Sequence, residues 1–165
     1  MRDVAIVLVT GMSGAGKSSV LEELARRGHT VVDTDHGALS EEVRLPDGRI
    51  EQRWREERVE ELLDAHAGGP LFVSGTVPNQ ARLYPRFDAV VLLTAPLDVL
   101  LERVRSRTSN PYGKSDVQQA FIAADVAVVE PLLRAGATDE IDTRRPLSDV
   151  ADELERIAAG ASTRV

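Results

Sequence analysis

The sequence predicts an α/β fold: three layers, with a mostly parallel sheet flanked by helices. Three observations carry this. Short apolar runs alternate along the chain with segments of helical period, as βαβ units do. The first run, Val4–Thr10 (VAIVLVT), is continuous and rich in β-branched residues, as a strand buried on both faces requires. It leads straight into a glycine-rich turn, Gly11–Ser18, and then into an amphipathic segment.

The elements follow in order. Lys17 to Arg27 reads as a helix with Val20, Leu21, Leu24 and Ala25 on one face and Gly28 at the C-terminal cap position. Val31–Val32 makes a short strand ending at Asp33, and Leu45–Arg49 (LPDGR) has turn chemistry. The spacing of Ile50, Trp54, Val59, Leu62, Leu63 and His66 predicts a charged amphipathic helix over 50–67, ended by Gly68-Gly69-Pro70. Leu71–Ser74 and Ala89–Leu93 are two further buried strands. Leu97, Leu100, Leu101 and Val104 have helical spacing. So do Val117, Phe121, Ala124, Val128 and Leu132, in a segment where Pro131 predicts a kink or a break. Glu140–Asp142 reads as a short strand, and Leu147, Val150, Ala151, Leu154 and Ile157 as the apolar face of a last helix. Residues 1–160 form one domain on this reading, and 161–165 a frayed tail.

Composition narrows the function classes. The 165 residues suffice for one domain with its own core. Hydrophobic residues at 42% and charged residues at 28% exclude disorder of the whole chain. Without cysteine there is no disulfide scaffold, thiolate zinc site or Cys nucleophile. A net charge of −7 argues against a general nucleic-acid binder. The first apolar run is too short for a membrane span and lacks signal-peptide flanks. The expectation is a cytoplasmic monomer or homodimer with small-molecule partners and no nucleic-acid or membrane partner.

Gly11–Ser18 reads GMSGAGKS and fits G-x-x-x-x-G-K-[ST] in full, between a buried strand and an amphipathic helix. Gly11, Gly14 and Gly16 allow a tight turn whose N–H groups point inward. With Ser13, Ala15, Ser19 and the helix N-terminus they form a phosphate cradle. Lys17 is placed to reach the β- and γ-phosphates of ATP, and Ser18 to put its hydroxyl on Mg²⁺. Asp33 and Asp35, in VVDTD, end the second strand one residue apart. No acid ends Leu71–Ser74 or Ala89–Leu93, so this pair is the candidate for ordering Mg²⁺ (Asp33) and for orienting or deprotonating an acceptor hydroxyl (Asp35). Capping of a following helix is the alternative for either. Arg103, Arg105 and Arg107 cluster before the Gly/Pro-containing loop SNPYGKS. Arg107, which opens it, is the candidate for neutralising a transferring phosphoryl group, with Lys114 able to serve similarly. His29, His36 and His66 show no metal-ligand spacing, and Asn79 and Gln80 are candidates for polar substrate contacts.

GMSGAGKSSV followed by VVDTD resembles the shikimate kinase family, within the P-loop kinases that phosphorylate small molecules. The resemblance covers most of the chain and implies a five-stranded parallel sheet of order 2-3-1-4-5, a short lid at about 107–116, and ATP and Mg²⁺ as cofactors. Trp54-Arg55-Glu56-Glu57 resembles the family's Phe-Arg-x-x-Glu helix, and Glu130-Pro-Leu-Leu-Arg134 its Pro-Leu-Tyr-Arg stretch. Arg55 and Arg134 are thereby expected to hold an anionic acceptor. Asp142-Thr-Arg-Arg-Pro146 resembles an adenine-packing segment, which nominates Arg144 and Pro146. Ser74-Gly75-Thr76 stands where the family has a Gly-Gly-Gly turn against shikimate, which nominates Gly75 and Thr76 and departs from the family at the acceptor. The expected activity is transfer of the γ-phosphate of ATP to a small hydroxyl compound. A nucleoside or nucleotide kinase, and an ATP-binding switch or slow ATPase, are the alternatives.

Overall fold

The computed structural model describes residues 4–162. Strand β1 (Ile6–Thr10) is central and wholly buried. Alternate side chains of a strand point to opposite faces. Val7 and Val9 accordingly enter one core and Ile6 and Leu8 the other, which is why the run is apolar without interruption. On the first side, helices α1 (Lys17–Arg26) and α5 (Leu147–Ser162) supply Val20, Leu21, Leu24, Val150, Ala151, Leu154 and Ala158. On the second, α2 (Glu56–Ala65) supplies Val59 and Leu63 beside Trp54, Leu83 and Phe87. Fully burying one such aliphatic side chain contributes about 1.5–3 kcal/mol.

The remaining strands are β2 (Thr30–Asp33), β3 (Ser40–Arg44), β4 (Ile50–Trp54), β5 (Leu71–Ser74), β6 (Ala89–Thr94) and β7 (Asp139–Asp142). Five of them form the parallel sheet, in the order β2-β5-β1-β6-β7, while β3 and β4 form a separate antiparallel pair. The expected order 2-3-1-4-5 is thus corrected to 2-5-1-6-7, because the hairpin takes two numbers in chain order. Helices α3 (Leu97–Ser106) and α4 (Asp116–Gly136) lie between β6 and β7. The C-terminal ends of β1, β2, β5, β6 and β7 all open on one edge of the sheet, where open α/β sheets bind ligands.

Three expectations change. The helix expected from Ile50 begins only at Glu56. Residues 40–54 are instead a hairpin, closed by Leu45 N–H donating to the Arg49 carbonyl at 2.8 Å and Gly48 N–H to the Leu45 carbonyl at 2.9 Å. Ile50 and Trp54 satisfy both a helical and an alternating pattern. The Pro-Asp-Gly turn decides for the strand, and Ile50 stays 61% exposed. Second, α4 runs unbroken through Pro131, which sits on its exposed side where a freed carbonyl meets solvent. Its expected core face is also exposed: Val117, Phe121, Val128 and Leu132 face out, while Gln119, Ile122 and Leu133 are buried. Third, α5 continues to Ser162 with Ala161 buried, so 161–162 are helical, and 163–165 lie outside the described residues.

Behind the second strand a buried polar relay fastens the hairpin to the sheet. Trp54 Nε1 donates to Thr34 Oγ1 at 2.8 Å, and Thr34 Oγ1 donates to the Ser74 carbonyl at 2.7 Å. Thr34→Val keeps the volume but leaves the indole N–H without an acceptor. The expected outcome is a loss of about 1–3 kcal/mol in urea unfolding followed by the emission of Trp54.

Candidate active site

The phosphate loop occupies the turn between β1 and α1. Gly14 has φ +83°, and a Cβ there would stand 2.6 Å from the Leu100 carbonyl oxygen of α3. Any side chain at this position forces the loop away from its support. Lys17 Nζ folds back over the loop and donates to the Gly11 carbonyl at 2.5 Å and to that of Met12 at 3.4 Å. Burial pulls its pKa down to about 8; Asp35 and Asp33 oppose this, and Arg107 reinforces it. Thr76, just past β5, donates its hydroxyl to the same Gly11 carbonyl at 2.6 Å and accepts from Gly11 N–H at 3.2 Å. Gln80 Nε2 donates to Thr10 Oγ1 at 3.1 Å and so braces this corner from behind.

Arg103 of α3 clamps the other end. Its Nη1 donates to the Gly14 carbonyl at 3.2 Å and to Thr143 Oγ1 at 2.8 Å, and its Nη2 to the Thr143 carbonyl at 2.8 Å. Arg107 caps α3, donates to the Tyr112 carbonyl at 2.9 Å, and keeps its Nε buried without a partner. Lys114 Nζ donates to the Arg107 carbonyl at 2.6 Å, which holds the 107–114 loop closed on itself. Asp33 Oδ1 accepts from Asp35 N–H at 2.9 Å. The Asp35 carboxyl is raised by burial and by Asp33, against the pull of Lys17 and His36.

Three cavities run along this edge. One of about 270 Å³ is lined by Gly16, Ser19, Arg103, Thr143, Arg145 and Leu147. A second, of about 600 Å³, holds Ser13–Ser19, Asp35, Arg103, Arg107 and Tyr112. A third, of about 580 Å³, holds Ser13, Lys17, Asp35, Gln52, Thr76 and Asp125. Gly16, Ser19 and Arg103 line both the first and the second, and Ser13, Lys17 and Asp35 both the second and the third.

The structure therefore brings Gly11, Ser13, Gly14, Ala15, Gly16, Lys17, Ser18, Ser19, Asp35, Thr76 and Arg107 to one channel. Asp33 stands beside it, lining a neighbouring cavity with Ser18, Asp35 and Arg107. Other expected residues lie elsewhere. Arg55 is no helix residue but the cap before α2, 3.8 Å from Glu41, in a separate cavity with Arg53, Arg58 and Arg82. Arg134 pairs with Glu130 and Glu140, both at 3.0 Å. Arg144 is tied to Asp142, whose carboxyl it holds down to about 2, and the wall of the first cavity comes from Arg145 and Leu147 in place of Arg144 and Pro146. Gly75 is a packing position, since a Cβ there would meet Thr34 Oγ1 and the Trp54 ring.

Sequence reasoning missed Thr143, Asp125, Glu51 and Gln52. Only the hairpin and the orientation of α4 bring the last three to the channel, and neither follows from periodicity. No cluster of three or more His, Asp or Glu side chains that could hold a metal occurs among the described residues. What is present is a set of hard oxygen donors, the exposed Ser18 hydroxyl and the Asp33 carboxylate, beside a phosphate cradle. That donor chemistry fits Mg²⁺, which binds few protein ligands and shares substrate phosphates.

Comparison with known proteins agrees with this geometry. Residues 7–123 match the model of a P-loop family described as AAA domain. A shikimate kinase of Geobacter sulfurreducens is 32% identical over 160 residues, covering 90% of this chain and 87% of the relative. One from Halorhodospira halophila is 31% identical over 147 residues, covering 83% of each. Among solved structures, shikimate kinase from Acinetobacter baumannii in complex with shikimate superposes with a TM-score of 0.66 at 21% identity, over 98% of this chain and 96% of that one. The site and fold define a P-loop nucleotide-binding protein. Within that class, the chain belongs to the shikimate kinase-like P-loop kinases, and it is an ATP-dependent small-molecule kinase.

The Gly11 carbonyl and its two donors set the shape of the cradle. Thr76→Val removes both side-chain bonds to Gly11 while Thr76→Ser keeps them. Calorimetric titration with ATP is expected to show affinity lowered about three- to tenfold in the first and near the parent value in the second.

Proposed function

We propose that the channel works as three consecutive subsites, for base, for phosphates and for acceptor. The observation that supports this best is that Lys17 and Asp35 line both the second and the third cavity. A phosphoryl group held in one is then adjacent to a hydroxyl held in the other. On this reading the Gly11–Ser18 amides bind the phosphates of ATP, with the base beside Arg145 and Leu147. Ser18 and Asp33 would hold Mg²⁺, which when bound would supply charge neutralisation at the phosphates.

The acceptor oxygen attacks the γ-phosphorus, the bond to the β–γ bridging oxygen breaks, and ADP leaves. Asp35 takes the hydroxyl proton, a role that its raised pKa favours. Lys17 gives up its backbone carbonyls for phosphate oxygens, and Arg107, with a buried Nε free to donate, neutralises charge on the transferring group. The Arg103 clamp keeps the loop from splaying as negative charge arrives.

ADP release with a panel of small hydroxyl compounds tests the reading. Turnover that depends on an acceptor supports it. Nucleotide hydrolysis indifferent to every acceptor points to a slow ATPase. Lys17→Ala is expected to lower acceptor-dependent turnover by on the order of 10²-fold or more while the urea midpoint stays put. Asp33→Asn is expected to recover part of its lost rate as Mg²⁺ is raised, whereas Asp35→Asn is not.

A further inference from the structure

The third cavity carries information about the acceptor that the phosphate loop does not. Its lining holds three carboxylates, Asp35, Glu51 and Asp125, and a single cation, Lys17. Lys17 belongs to the phosphates. Glu51 is already paired with Arg53 at 2.6 Å, and Arg53 faces the other cavity. Asp125 has no hydrogen bond or ion pair among the described residues. The two arginines that would serve a carboxylate acceptor are engaged elsewhere, Arg55 beside Glu41 and Arg134 with Glu130 and Glu140.

The opposite wall is apolar. Asp125, Val129 and Leu132 stand at helical spacings of four and three on α4 and all line the cavity, with Pro78 and Met12 beside them. The same face of α4 carries Phe121 and Val128, which are more than 60% exposed. A helix face with one carboxylate in its middle is thus turned to the space beside the catalytic groups; Val129 is half-buried against the core, while Phe121, Val128 and Leu132 are exposed.

Resting on the kinase reading above, we propose that the acceptor is a hydroxyl compound bearing a protonated amine and an apolar or ring-shaped body, and that Asp125 is the residue that selects it. The amine pairs with Asp125. The body lies along Val129, Leu132 and Pro78, and the hydroxyl reaches Asp35. A hydroxy acid would place its charge in a cavity that three carboxylates line and no guanidinium lines.

The test uses two sets of probes that share a body and carry an amine, no charge or a carboxylate: glucosamine, glucose and glucuronate, and aminophenylpropanediol, phenylpropanediol and hydroxyphenylpropanoate. Saturation-transfer NMR measures their binding to the protein–ADP complex, and ADP release measures turnover with ATP. The amine of at least one set is expected to bind and turn over at least tenfold better than its neutral and acidic partners. Asp125→Asn is expected to raise the KM for that amine by about tenfold, with kcat much less affected. Asp125→Lys is expected to shift preference toward the acid. Preference for the acid in the parent protein, an Asp125→Asn variant with unchanged acceptor KM, or failure of both amines to bind overturns the proposal. In each of those cases ATP binding that is lost in Lys17→Ala leaves the kinase reading standing. Absence of ATP binding to the parent protein fells that reading itself.

Discussion

One carbonyl oxygen holds this site in register. Gly11 O accepts the ammonium of Lys17 and the hydroxyl of Thr76, so the end of β1, the first residue of α1 and the segment after β5 meet at a single point. The amine is drawn out of water by this arrangement, and burial outweighs two nearby aspartates in setting its pKa near 8. Backbone carbonyl dipoles are what the amine meets there. The loop can adopt this form only because Gly14 lies flush against the Leu100 carbonyl. Arg103 then carries the same constraint across to Thr143 and the end of β6.

From that corner the chemistry is laid out as a gradient of character along the sheet edge. Toward α5 the cavity wall is mostly apolar, with Leu147 beside Arg145. In the middle it is a nest of amides flanked by Lys17, Arg103 and Arg107, suited to phosphates. Toward α4 and the hairpin it turns acidic on one side and apolar on the other. All three zones draw on the Gly11–Ser19 segment and differ in their far walls, from α5 in the first cavity and from α4 and the hairpin in the third. The turn Ser74-Gly75-Thr76 belongs to both: Gly75 supports Trp54, while Thr76 shapes the phosphate loop.

The sequence was most readable where one pattern has one physical meaning. Val4–Thr10 is apolar without a break because both sheet faces are covered, and Gly28 follows α1 with φ +90° while its N–H caps the Ala25 carbonyl. Those features placed the five strands of the parallel sheet, the phosphate loop and the pair Asp33 and Asp35 without coordinates, but not β3 and β4. It was ambiguous where two periods coincide. Ile50 and Trp54 fit a helix as well as a strand, and reading them as helix put Arg55 on a helix face in place of at a cap. It was misleading where an apolar stripe serves something other than the core. Val117, Phe121, Val128 and Leu132 look like packing residues, yet the buried side of α4 is held by Gln119, which donates to the carbonyls of Leu101 and Gly113. Adjacent arginines were beyond resolution by pattern: Arg144 turns back on Asp142, and its neighbour Arg145 lines the cavity.

Among the described residues the hairpin of β3 and β4 joins no other strand, and only the Trp54 end of its β4 edge is closed, by the Asn79 side chain, which accepts from Trp54 N–H and donates to the Trp54 carbonyl, both at 3.0 Å. An open strand edge is a template on which strands from other molecules can grow. Here the sequence answers with charge: Glu41, Glu42 and Arg44 on one strand face Arg53, Gln52 and Ile50 on the other. An incoming copy in the same register would stack glutamate on glutamate, at a net charge of −7 per molecule. The acidity of this chain thus also works against strand-by-strand self-assembly at the hairpin.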